Sequence, residues 1–332
     1  MSSNERIKTG VIGVGAMGKH HARVYNELCD CQLVGIADAD TSRAREIADE
    51  YGTDALDTDE LIERADAVTV AVPTPYHYEL ASQCIKAETD ILVEKPLVED
   101  EKNGRELIKQ ADEAGVTLQV GHVERFNPVT DTLMDIVPDL DVISVKAERL
   151  GPQPDRAIQD SAVTDLMIHD IDLHQALLDQ PVSAVEASGN ADGRYATATV
   201  EFDDETIAKL TASRVTQRKV RKLTITAEQC YVIVDYLDQS IEIHRQSVPE
   251  YVAEDGDVRY RHESIVENPA VDNGEPLKHE LQSFVDAART ETEPRVTGKD
   301  GLRSLELAKE INRKAFGSPT RPWRCCTIEL EP

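Results

Sequence analysis

Short apolar runs and longer amphipathic stretches alternate through the first 120 residues. Residues 7–14, 32–38, 67–72, 90–94 and 117–120 read as strands rich in β-branched side chains. Between them, 17–28, 42–51, 76–86 and 101–114 carry the helical period, with apolar positions gathered on one face. Strands alternating with helices of this length imply right-handed crossovers and a parallel sheet. Residues 1–120 are therefore predicted to form an α/β domain.

The rhythm changes after Gly121. One helix is predicted over 163–178. Runs with period-2 alternation follow at 184–187, 195–202, 206–214, 223–227, 231–236 and 241–244. Turns such as Ala191-Asp192-Gly193 join consecutive runs, the mark of an antiparallel sheet. Helices at 277–289 and 300–315 close the chain. Residues 121–332 thus read as an α+β domain with an open, mainly antiparallel sheet. Its uncovered face predicts sheet-to-sheet packing in a homodimer or homotetramer.

The first loop carries chemistry. Gly13-Val-Gly15-Ala16-Met17-Gly18 is G-x-G-x-x-G, placed between a buried strand and a helix, and an acidic residue, Asp38, ends the next strand. Gly13 permits a tight turn, Gly15 lets the backbone approach a pyrophosphate, and Gly18 allows helix and strand to touch. The helix N-terminus adds free N–H groups and a positive dipole end. Asp38 is suited to accept from ribose hydroxyls and to repel a 2′-phosphate, and Asp40 adds charge nearby. The pattern predicts a Rossmann domain that binds NAD, while Arg43 and Arg45 leave room for NADP.

Composition narrows the partners. The 332 residues hold 36 Lys plus Arg against 63 Asp plus Glu, a formal charge of −27. That balance argues against nucleic acid and anionic membranes, both of which call for clustered cations. With 14 Lys and 22 Arg, the acid-rich, Lys-poor surface predicts adaptation to concentrated salt, where self-repulsion is screened. No run approaches the roughly 20 apolar residues of a membrane span, and the N-terminus lacks a signal-peptide pattern, so a cytoplasmic protein is expected. Cys29, Cys31, Cys84, Cys230, Cys325 and Cys326 show no C-x-x-C spacing and are read as reduced.

At four places the chain resembles the glucose–fructose oxidoreductase, inositol dehydrogenase and MocA family. The segments are the glycine motif, Val72-Pro73-Thr74-Pro75-Tyr76-His77, Glu94-Lys95-Pro96-Leu97 and Asp165-Leu-Met-Ile-His169-Asp170. The resemblance implies that Pro73, Thr74, His77, Glu94 and Lys95 border the cofactor, and that Lys95, Asp165 and His169 form the catalytic set. The residues agree with this. Lys95 ends a predicted buried strand at the carboxyl edge of a parallel sheet, where it can stabilise negative charge on a sugar oxygen. Asp165 and His169 stand at i and i+4, so the carboxylate is expected to orient the ring and support its protonated form. His169 and His174 lie about 500° apart around the helix, which argues against a metal site. A lysine snorkelling from a strand end and a solvated polar helix face are the plainer alternatives.

Gly121-His122-Val123-Glu124-Arg125-Phe126-Asn127-Pro128 and Ser213-Arg214-Val215-Thr216 are most similar to the UDP-N-acetylglucosamine 3-dehydrogenase branch of that family. This implies substrate roles for Arg125 and Asn127. Arg214, Arg218, Lys219, Arg221 and Lys222 reverse the sign of charge locally, as a diphosphate site requires. Edge-strand protection or an ion-paired subunit interface would give the same cluster. The predicted activity is hydride transfer from a sugar hydroxyl, at C3 of a UDP-N-acetylhexosamine. The alternatives are a free monosaccharide or inositol dehydrogenase and a non-catalytic NAD-binding regulator.

Overall fold

A computed structural model of the chain describes residues 6–153, 160–246, 250–254, 257–261 and 263–317. The first sheet is built from β1 (Ile7–Ile12), β2 (Cys31–Ala37), β3 (Ala67–Val70), β4 (Asp90–Glu94) and β5 (Leu118–Gly121), all parallel in the order β2-β1-β3-β4-β5. Helices α1 (Gly18–Glu27), α2 (Thr41–Tyr51), α3 (Thr58–Arg64), α4 (His77–Lys86) and α5 (Glu101–Ala114) make the crossovers. The strand order reverses beside β1, with β2 on one side and β3 on the other. A crevice opens at the carboxyl ends there, the usual ligand position in such sheets.

The second sheet has eight strands in the order β15-β12-β11-β10-β6-β9-β8-β7. They are β6 (Val142–Leu150), β7 (Val182–Gly189), β8 (Tyr195–Phe202), β9 (Ile207–Ser213), β10 (Val220–Ala227), β11 (Tyr231–Asp235), β12 (Ser240–Gln246) and β15 (Ser264–Glu267). A separate pair, β13 (Glu250–Glu254) and β14 (Asp257–Arg261), is also antiparallel. In the large sheet all pairings are antiparallel except β6 with β9. The sheet is open and mainly antiparallel, as the alternation predicts. Strand β6 at its centre and helix α6 (Pro128–Ile136) were not among the predicted elements.

One face of this sheet packs on α6 and on α7 (Ile168–Leu178), with Val145, Leu173 and Leu223 fully buried. The register puts Tyr195, Thr197, Thr211, Thr224 and Tyr231 on the opposite face, which no described helix covers. The closing helices, α8 (Pro276–Thr290) and α9 (Gly298–Phe316), do more than complete the second domain. From α8, Leu281 and Phe284 enter the core around α1 and β2. Helix α9 gives Leu302 and Leu305 to the first domain, then Leu307 and Ile311 to the core under β8 and β9. The two domains are braced together.

Cys29 is an exposed free thiol, and Cys31, Cys84 and Cys230 are buried ones. Burial pushes the Cys84 thiol up to about 12, so it behaves as a small apolar group. Cys325 and Cys326 lie outside the described residues.

Candidate active site

Gly13 turns the chain after β1 with φ of 89°, and its N–H donates to the Ala37 carbonyl at 2.7 Å. A Cβ there would meet Val72 at 2.8 Å, and one at Gly18 would fall 1.7 Å from the Gly13 carbonyl oxygen. Gly15 differs: no atom lies within 4 Å of the position its Cβ would take. That open space belongs to a cleft of about 670 Å³. Ala16, Met17, Pro73, Thr74, Glu94 and Lys95 line it from the first domain, and Asp165 and Asn312 face them from the second. Helix α1 starts at this cleft with no side-chain cap, and it turns the positive end of its dipole toward an anion there. The cradle suits a pyrophosphate.

Asp38 lies just past β2 with its side chain almost wholly buried. Its carboxylate accepts from the N–H of Val14 and of Asp40, each at 2.8 Å, and from Arg43 through Nη2 at 2.6 Å and Nε at 3.2 Å. Burial alone would raise its pKa. Arg43 and the two N–H groups outweigh that and hold it below the usual carboxylate range. Asp40 acts as the N-cap of α2, accepting from Ser42 and Arg43 N–H. Arg43 therefore sits across the carboxylate that the sequence offers to a ribose.

Lys95 leaves β4 through a cis peptide to Pro96. Its Nζ donates to the Asp165 carbonyl at 2.6 Å and lies 3.5 Å from the Asp165 carboxylate. The other Asp165 oxygen takes Arg214 Nη1 at 3.2 Å, while Arg214 Nη2 donates to the Asp160 carbonyl. Glu94 points inward, its carboxylate 2.8 Å from His21 Nε2 and accepting from the Lys95 N–H. Its burial would raise its pKa, but His21 and Lys95 bring it below the ordinary glutamate value. His77 lies under this wall, its ring nitrogens each 2.9 Å from the carbonyls of Val72 and Pro96. It links the two loops that border the cleft.

The expected Asp165–His169 contact does not form. Val163–Met167 is a π-helical turn, and α7 begins only at Ile168. The wider turn breaks the i, i+4 alignment, and the carboxylate goes to Lys95 and Arg214 instead. His169 meets His122 edge-on, ring centroids 6.3 Å apart. Burial chiefly, then the positive charges of Lys95, Arg149, His122 and Arg221, hold His169 well below the ordinary histidine value. The site favours a neutral imidazole, whereas the helical spacing had predicted support for the protonated form. It is suited to receive a proton.

A charged quartet lies near His169, two of its members buried and two half-buried. Arg149, on β6, forks onto Asp170 at 2.7 and 2.9 Å and reaches Glu124 at 2.8 Å. Arg221, on β10, is half-buried beside it with Nη1 unpartnered, and burial together with Arg149 lowers it to about 10. The sequence cluster thus divides: Arg214 braces Asp165, Lys222 pairs with Asp235 at 3.4 Å, and Arg218 and Lys219 are exposed before β10. Arg125 is buried, donating to Asp172 at 3.4 Å and to the Arg295 carbonyl. Asn127 caps α6 and donates to Glu124 and to the Tyr236 carbonyl. Both are engaged within the protein. His174 meets the Asp170 carbonyl, and no group of three His, Cys, Asp or Glu among the described residues is placed to hold a metal.

Arg149, Asp170 and Glu124 escaped the sequence reading as site residues. The signal for Arg149 was present: Val145, Ala147 and Arg149 alternate with Lys146 and Glu148, a strand pattern in which arginine takes an inward place.

Residues 7–122 match the family model described as an oxidoreductase family with an NAD-binding Rossmann fold, and 142–233 match the GFO/IDH/MocA C-terminal domain. The UDP-N-acetylglucosamine 3-dehydrogenase of Acidithiobacillus ferrooxidans is 31% identical over 92% of this chain and 96% of its own. The chain belongs to the GFO/IDH/MocA oxidoreductase family. It is an NAD(P)-dependent oxidoreductase. A solved structure of the Acidithiobacillus ferrooxidans enzyme superposes with a TM-score of 0.83 at 29% identity, covering 94% of this chain and 98% of that one. Another GFO/IDH/MocA relative, the inositol 2-dehydrogenase of Rhizobium meliloti, is 26% identical over 91% of this chain and 94% of its own.

Proposed function

We propose that the enzyme oxidises a sugar hydroxyl, C3 of a UDP-N-acetylhexosamine. The observation that carries this is the 31% identity, across nearly the whole of both chains, to a UDP-N-acetylglucosamine 3-dehydrogenase. Arg221 adds support, because a half-buried guanidinium beside the catalytic set, with one buried nitrogen lacking a partner, suits a diphosphate.

Gly15 and Asp38 would hold NAD(P), which would supply the hydride acceptor. His169, neutral in its cationic surroundings, takes the hydroxyl proton. Lys95 stabilises the charge that builds on the sugar oxygen and leaves as it becomes a carbonyl. Asp165 positions Lys95 through its carbonyl and carboxylate, and Arg214 fixes Asp165 in turn.

Inositol 2-dehydrogenases at 26–27% identity favour a second reading, oxidation of a free polyol. Initial rates with UDP-N-acetylglucosamine, N-acetylglucosamine and myo-inositol, each with NAD and NADP, separate the two. A rate confined to the unphosphorylated compounds would refute the nucleotide-sugar reading.

We further propose a cytoplasmic, salt-adapted homo-oligomer associating through the Tyr195–Tyr231 face of the large sheet. No described helix is long and apolar enough to cross a membrane. A melting temperature that climbs with added KCl supports salt adaptation, and a monomer at equilibrium in the ultracentrifuge defeats the interface.

A further inference from the structure

Helix α9 does more than join the two cores. Leu305, Ala308, Lys309 and Asn312 stand at i, i+3, i+4 and i+7, on one face of the helix. All four line the cleft that also holds Gly15, Ala16 and Met17. This face is firmly held. Leu305 is buried in the core of the first domain and Ala308 in that of the second. Asn312 donates to the Thr164 hydroxyl and accepts from Ser161, both at 2.7 Å, which ties α9 to the π turn carrying Asp165.

Lys309 differs from the other charges of the cleft. Lys95 is taken by Asp165, Asp165 also by Arg214, and Glu94 by His21. On α9 itself Arg303, Arg313 and Lys314 each pair with a carboxylate. Lys309 is half-buried, yet among the described residues it has neither an ion-pair nor a hydrogen-bond partner. The chain carries 63 acidic residues against 36 basic ones, so counter-charges are plentiful. An ammonium drawn part-way out of water without one leaves its desolvation uncompensated. Glu99 and Asp160, the remaining carboxylates of the lining, are exposed to solvent. An anion in the cleft would supply the missing partner. The positive end of the α1 dipole is turned to the same space, and Gly15 leaves room for a phosphate to approach the backbone.

We propose that Lys309 is a ligand of the cofactor's pyrophosphate, so that the dinucleotide is gripped by the glycine turn of the first domain and by α9 together. The inference rests on the reading of this cleft as the cofactor site. Residues 13–18 hold no cation, and meet the phosphates with backbone and dipole alone. Lys309 adds the full positive charge, with three donors for phosphate oxygens.

The test is Lys309→Gln in the full chain, which keeps most of the stem and removes the charge. NADH affinity is read by fluorescence titration, with ADP and adenosine compared as competitors that displace it. NADH and ADP should bind about 10-fold more weakly at low salt, as for one lost charge-assisted contact, and adenosine as before. The deficit should shrink as KCl is added, and Lys309→Arg should stay near wild type. Wild-type affinity for NADH and ADP in Lys309→Gln overturns the proposal. So does a raised KM for UDP-N-acetylglucosamine beside unchanged NADH affinity, which would hand the lysine to the substrate. Should Lys309→Gln fail to fold, lysine acetylation of the wild type, mapped by mass spectrometry, decides. ADP shields Lys309 if the proposal holds, and equal labelling with and without ADP overturns it. Gly15→Leu separates the two levels. Nothing lies within 4 Å of the Gly15 Cβ position and its φ is outside the left-handed region, so leucine fills the cleft without straining the backbone. Unchanged NADH affinity there refutes the cleft as the cofactor site and the inference with it. Lost affinity there beside an unimpaired Lys309→Gln refutes the role of Lys309 alone.

Discussion

Arg43 lays its guanidinium fork across the Asp38 carboxylate, Nη2 2.6 Å from Oδ1 and Nε 3.2 Å from Oδ2. With Val14 and Asp40 also donating, Asp38 already holds four hydrogen bonds before a ribose arrives. Ribose hydroxyls must displace Arg43, whose side chain is 46% exposed and can swing toward solvent or a 2′-phosphate. Arg43→Ala should therefore lower KM for NAD and raise it for NADP, each by up to about 5-fold, the scale of a half-exposed ion pair. Asp38→Ser should move the preference the other way. Steady-state KM values for both cofactors on the two variants check this, and an unchanged NAD-to-NADP ratio would place selectivity elsewhere.

Lys95 has its hydrogen bonds to Asp165 from inside the cleft wall, so its loss should leave the glycine cradle intact. Lys95→Ala should reduce kcat about 100- to 1000-fold, the range for removing one preorganised donor to a developing oxyanion. Cofactor affinity, read by fluorescence titration, should hardly change. A variant that turns over normally would remove Lys95 from the chemistry.

His169 must be neutral to accept a proton. Because its pKa lies below the usual 6.5, the acid limb of kcat/KM against pH should also lie below that value. The sign for a variant follows. Neutralising a nearby cation makes the protonated imidazole easier to form, so Arg221→Gln should move that limb to higher pH. Profiles of wild type and variant in matched buffers are the measurement, and a limb that stays fixed would dismiss Arg221 as a neighbour that tunes the base.

Arg221 and Arg218 separate the two substrate readings. A diphosphate contact involves none of the bonds that change, so it is about equally strong in ground and transition states, and at a pH where His169 is neutral its loss raises KM more than it lowers kcat. Arg221→Ala should raise KM for UDP-N-acetylglucosamine about 10- to 150-fold, as for one charge-assisted hydrogen bond. The exposed Arg218 should matter less, and its effect should fade as salt rises. Wild-type KM in both variants would favour the free-polyol reading.

The first domain was readable because both faces of its sheet are covered. Runs such as Ala67–Val70 and Asp90–Glu94 become nearly unbroken apolar stretches, and the glycine motif marks where the first one ends. Helix α3 was missed, being one short turn-rich stretch whose Leu61 packs into the space left by Gly10 and Gly35. In the second domain β6 was hidden by its own function. Its inward positions include Arg149, a charged side chain that disguises a buried strand, and only Asp170 and Glu124, distant in sequence, make that burial tolerable. The Asp165–His169 pairing failed for a local reason, since one π turn shifts the face on which the aspartate emerges. Spacing in the sequence assumes an ideal helix.

Helix α9 gives the architecture a mechanical character. One unbroken rod, anchored by Leu302 and Leu305 in one core and by Leu307 and Ile311 in the other, pins both domains to a shared beam. A clamshell that swings about a single hinge would have to tear one of those anchorages loose. The cleft between the domains therefore keeps a fixed frame.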